Sequence, residues 1–79
     1  MNEKPNELQA LKRVRSLAKS GTARAIRVGN GISRTELARE ARVSTRSIYR
    51  WENGETLPHG PAALRYAAAL NSLMDGEQR

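Results

Sequence analysis

Apolar residues recur along this chain at three- and four-residue intervals, and no stretch keeps an alternating pattern, which predicts helices and no strands. Asn6, an N-cap by residue type, opens the first helical run, which reaches Lys19: Leu8, Leu11, Val14, Leu17 and Ala18 form its apolar stripe, and Lys12, Arg13, Arg15 and Lys19 fill the other sides. Ser20-Gly21 closes it. The stripe can pack on the rest of the domain or on a second copy, and we place it on the domain. Residues 1–5, polar and ending in Pro5, carry no pattern and are expected to be disordered.

Thr22 is placed to cap a second helix, A-R-A-I-R-V, stopped by Gly29-Asn30-Gly31, where two glycines in three residues predict a turn of positive φ. A second-ranked alternative absorbs Gly21 and runs one helix from Asn6 to Val28. Ser33-x-x-Glu36 reads as a capping box opening the helix R-T-E-L-A-R-E-A, with Leu37, Ala38 and Ala41 on its buried face. Val43 is expected to plug the turn that follows. Ser44 then caps T-R-S-I-Y-R-W-E, where Ile48 and Trp51 share the inward face, and Asn53-Gly54 ends it. After the loop E-T-L-P-H-G-P, Pro61 is placed as the first residue of a last helix that ends near Leu70 or Leu73, with Leu64, Ala67, Ala68 and Leu70 buried. The expected division is a disordered 1–5, an amphipathic helix at 6–20, a binding domain at 21–73 and a frayed tail at 74–79.

Charge adds direction to this all-α pattern. The net charge is +6, but Lys12 to Arg50 holds eleven Lys or Arg against only Glu36 and Glu40, while the remainder of the chain is net acidic. Most of the basic residues are arginine, the side chain suited to bidentate contacts with phosphate and guanine. A polyanionic partner is the natural reading. The 79 residues suit one small domain. There is no cysteine, and with one histidine no metal site is expected; nor is a cofactor or small-molecule ligand. The polar N-terminus and the lack of a long apolar run predict no secretion signal and no membrane partner, hence a cytoplasmic protein, nucleoid-associated if the polyanion it binds is DNA.

Two short helices joined by a tight turn, the second rich in exposed arginine and hydroxyl groups, form a helix-turn-helix pattern at Ser33 to Gly54, in which the second helix enters the DNA major groove. On this reading Thr45, Arg46, Tyr49 and Arg50 meet base edges. Arg46 and Arg50 lie four residues apart on the polar face, and Tyr49 has the sugar-phosphate or the domain's edge as its other outlets. Ser33, Arg34, Ser44, Ser47, Asn53 and Thr56 are placed at phosphates. Asn53-Gly54 serves equally as a helix C-cap. His59, between two prolines, is read as solvent-facing or touching phosphate, and Trp51 as core, since the chain has no phenylalanine to fill that space.

The order A-R-A-I-R…G-I-S-R-T-E-L-A…V-S-T-R-S-I-Y-R-W-E-N-G…P…A-L-R-Y-A-A-A-L resembles the phage repressor and Cro family, the Xre-like helix-turn-helix proteins, over about residues 22–73. The resemblance implies a compact lambda-repressor-like domain of four to five helices, here with an additional N-terminal amphipathic helix, that usually binds near-palindromic operators as a dimer. It also implies a structural ion pair between Arg27 and Glu52. Two departures matter. Arg42 stands where the family usually has glycine, so either it takes positive φ or the turn is reshaped. The family's C-terminal helix, which often contributes to dimerisation, is shortened, with six residues after Leu73. The N-terminal helix is available for that task.

The leading expectation is a small sequence-specific regulator of double-stranded DNA, a Cro-like repressor acting by promoter occlusion at an operator-like site, with a homodimer left open. The chain's size leaves no room for a ligand-sensing, autoproteolytic or oligomerising second domain. Two alternatives stand beside it: a recombination-directionality or architectural factor that bends DNA, and an antitoxin or adaptor whose basic face meets an acidic protein. No paired carboxylates, Ser-His or Cys-His arrangement and no glycine-rich phosphate loop are present, so no enzyme activity is expected.

Overall fold

Gly21 separates the first two helices of the computed structural model, which describes residues 6–77, with side chains up to Asp75. Helix α1 spans Glu7–Ser20 and α2 spans Thr22–Gly29. Asn6 caps α1, its Oδ1 accepting from the amides of Leu8 at 2.9 Å and Gln9 at 3.3 Å. Gly21 then turns left-handed, φ 88°, which excludes the continuous helix from Asn6 to Val28. Because Gly21 closes α1 and opens α2 at once, Thr22 is not a cap. It is the first helical residue, and its Oγ1 accepts from the Ser20 hydroxyl at 2.8 Å. Gly29 is likewise the last residue of α2, so positive φ falls on Gly31 alone of that pair, at 68°.

Helix α3, Arg34–Ala41, starts with the complete capping box: Glu36 N–H donates to Ser33 Oγ at 3.0 Å, and Ser33 N–H to Glu36 Oε1 at 2.8 Å. Helix α4 is Thr45–Glu52. Helix α5 begins at Gly60, one residue before Pro61, and continues to Glu77, beyond the expected end near Leu73. Met74 to Glu77 are therefore helical; the expectations for residues 1–5, and for 78 and 79, lie outside the described residues.

α5 is the spine, packed on by α1, α2 and α3 and met by α4 through Trp51 and Tyr66, while α4 also packs on α3 and α1. Val14 and Ala18, Ala23, Leu37, Ala38 and Ala41, Ile48 and Trp51 bring the five helices together against Ala63, Tyr66, Ala69 and Leu70. The buried face of α5 differs from the expected one. Ala63, Tyr66 and Ala69 are buried, Leu64 and Ala67 are half-buried and Ala68 is exposed; of the four residues expected inside, only Leu70 is fully so. The reason is Tyr66, whose ring meets Trp51 with centroids 4.8 Å apart and rotates the helix towards it. Val43 is half-buried against the core rather than a sealed plug. Among the described residues there is no strand, and no helix is long and apolar enough to cross a membrane.

Candidate nucleic-acid interface

Ser44 starts α4 by accepting the Ser47 amide at 3.0 Å, and its own hydroxyl donates to Ser47 Oγ at 3.0 Å. Burial of Ile48 and Trp51 turns the opposite side of the helix outward. Thr45, Arg46 and Tyr49 are exposed there, and Arg46 has no hydrogen-bond or ion-pair partner among the described residues. Arg50 leans the other way, Nε 3.6 Å from Glu55 Oε1, an exposed pair that solvent screens.

Glu52 ends α4 inside the protein, its side chain wholly excluded from solvent, and it holds two arginines. Arg27 of α2 donates Nε to Oε2 at 2.6 Å and Nη2 to Oε1 at 2.9 Å, and its Nη1 reaches the Ile32 carbonyl at 2.9 Å. Hydrogen bonding to Glu52 raises the Arg27 pKa despite burial, so the guanidinium stays charged. Arg34 donates Nε to Oε1 at 3.1 Å and lies 5.3 Å from the Tyr49 ring centre. One carboxylate facing two guanidiniums leaves a surplus positive charge. It emerges at Arg34, whose side chain is 34 % exposed, beside the N-terminus of α3.

The chain after α4 uses most of its own amides. Asn53 N–H donates to Tyr49 O at 3.0 Å, Gly54 N–H to Trp51 O at 3.3 Å and Glu55 N–H to Arg50 O at 2.9 Å. The Thr56 amide and the Asn53 side chain have no such partner among the described residues. The α3–α4 turn is held from α5. Arg42 takes the left-handed conformation, φ 57° and ψ 48°, and Arg65 donates to the carbonyls of Ala41 at 3.0 Å and Arg42 at 3.1 Å.

Two short helices joined at a left-handed residue, the second exposing an arginine-bearing face, are the geometry that a family comparison then decides: the helix-turn-helix family model matches residues 24–75. The chain belongs to the Xre-like helix-turn-helix family. No curated protein and no solved structure matches it. As a helix-turn-helix protein it is a DNA-binding regulator of transcription, and α1 precedes the matched span.

Within this helix-turn-helix frame the sequence-derived positions fall into two groups. Thr45, Arg46, Tyr49 and Arg50 share α4, with Ser44 and Ser47 at its start. Ser33 and Arg34 stand at the start of α3, and Asn53 and Thr56 follow α4. Ser33 spends its hydroxyl on the capping box, Ser44 and Ser47 bond each other, and the Arg34 Nε is taken by Glu52. Sequence reasoning missed Arg65 and Arg15, whose partners are backbone carbonyls, and the burial of Tyr66.

Proposed function

We propose that this regulator is a small Cro-like repressor that reads an operator with α4 in the major groove and acts by occupying promoter DNA. The observation that carries the reading is the outward row of α4, where Arg46, with no partner among the described residues, stands between Thr45 and Tyr49 on a helix anchored by Ile48 and Trp51. Arg46 meets guanine O6 and N7, a bidentate contact that discriminates by about 1–3 kcal/mol per base. Thr45, Tyr49 and Arg50 complete the base-facing set. Ser33, Arg34, Ser44, Ser47, Asn53 and Thr56 hold phosphates, with Arg34 and the Thr56 amide as the strongest donors of that set. Two copies occupy half-sites about 34 Å apart on a near-palindromic operator.

Order-of-addition transcription on a promoter carrying the selected site tests the mechanism. Repressor added first blocks transcript formation, and repressor added after open-complex formation does not. Equal inhibition in both orders, or stimulation, contradicts occlusion.

A further inference from the structure

Arg15 lies in α1, outside the span 24–75 that the family model covers, yet it reaches the loop that follows α4. Its Nε donates to the carbonyl of Pro58 at 2.8 Å, across 43 positions of sequence. Pro58 is itself fully buried, so both the ring and the carbonyl of this residue are fixed. On the other side the loop is tied to α4 through the Gly54 and Glu55 amides. Between these two anchors stand Thr56 and Leu57, whose amides make no hydrogen bond among the described residues. The segment is therefore held at both ends and open in the middle.

We propose that Arg15 is a positioning residue for DNA binding: by holding Pro58 it sets the Thr56 amide where it grips a phosphate. This rests on the reading above that Thr56 meets the DNA backbone. A backbone amide is a useful phosphate donor only if its position is set before binding, because ordering a loop at that moment reduces affinity. Arg15 supplies that order from a helix that does not itself belong to the reading motif. Its effect is on how tightly the protein holds DNA, not on which sequence it selects, since phosphate contacts position and base contacts specify.

The bonding atom makes a sharp test feasible. Nε of arginine and Nε2 of glutamine stand at the same number of bonds from the backbone, so Arg15→Gln keeps a donor in place and removes the charge. Arg15→Met keeps the length without a donor, and Arg15→Lys keeps the charge with its nitrogen one atom too far out. All three full-length variants are checked for folding by circular dichroism. Their affinity for the selected duplex is then measured, with ethylation interference to map phosphate contacts. Arg15→Met and Arg15→Lys bind about three- to ten-fold more weakly than Arg15→Gln, the size of one lost hydrogen bond. In both, interference fades at the loop's phosphate while the selected motif is unchanged.

If Arg15→Lys matches wild type and the Gln and Met variants lose affinity equally, Arg15 acts by charge and the proposal is wrong. Three variants indistinguishable from wild type overturn it as well. The amide resonances of Thr56 and Leu57 in the free protein give a reading independent of DNA: they move in the Met and Lys variants and stay in Gln. Unmoved amides in all three overturn the brace itself. A wild-type protein that selects no motif, with amides that do move, overturns the functional reading and the purpose given to Arg15, but not the contact.

Discussion

Arg65 holds the carbonyl of Arg42 at 3.1 Å, tying α5 to the one non-glycine residue of positive φ among the described residues. A left-handed L-residue costs about 1–2 kcal/mol, and a second bond from Arg65, to Ala41 at 3.0 Å, helps keep the turn in that shape. Arg42→Gly removes the strain but loosens the unfolded chain, so stability rises by about 0.5–1 kcal/mol and Tm by several degrees. Arg65→Met moves the other way by about 1–2 kcal/mol through two lost bonds to carbonyls. Thermal melts of both variants check the pair, and a fall in Tm for Arg42→Gly contradicts it.

The Glu52 node predicts an unequal response to losing either partner. Glu52→Gln leaves buried Arg27 without a counter-charge and releases Arg34, at a cost of roughly 3 kcal/mol. Arg27→Met is milder, because Arg34 still faces Oε1 at 3.1 Å. Urea unfolding of the two variants gives the order directly. Equal losses show that Arg34 does not share the carboxylate.

Tyr66 is fully buried and its hydroxyl has no hydrogen-bond partner among the described residues. Burial, reinforced by the nearby Glu52 charge, pushes its pKa well above the ordinary phenol value, so the group stays neutral. Tyr66→Phe keeps the ring contact with Trp51 and removes only the unsatisfied group. Stability stays level or rises by about 1 kcal/mol in urea unfolding. A loss larger than that reveals a bond at this hydroxyl.

These features were unequally legible in the sequence. The boundaries of α3 and α4 are written locally: serine caps, a glutamate three residues on, and apolar spacing set by Leu37, Ile48 and Trp51. Arg27 and Glu52 came through family resemblance, since no local pattern joins residues 25 positions apart. The inward face of α5 is not legible from its aliphatic residues, because Tyr66 turns inward and only its stacking partner in α4 shows which side that is. Arg15 and Arg65 were invisible for a related reason. Their acceptors are main-chain oxygens, which leave no trace in residue identity.

The capping box carries a pH signature. Backbone and hydroxyl hydrogen bonds from Ser33 lower the Glu36 pKa below the ordinary carboxylate value, aided by the Arg39 charge. A pKa depressed in the folded state contributes stability above the unfolded value, and that contribution is lost as pH falls through the folded value. Wild-type Tm therefore drops on acidification below the normal glutamate range, and Glu36→Gln gives a shallower drop. Identical slopes between pH 6 and pH 3 contradict the assignment.

Selection of binding sites from a random duplex pool, run for wild type and Arg46→Ala at moderate salt, tests recognition by α4 most directly. Wild type enriches a defined motif, and Arg46→Ala relaxes it at one or two positions while the rest stands, with affinity lower by about ten-fold or more. The symmetry and spacing of the motif report the number of copies bound. No enrichment by the folded wild type, with only weak salt-sensitive binding, contradicts sequence-specific recognition through this helix.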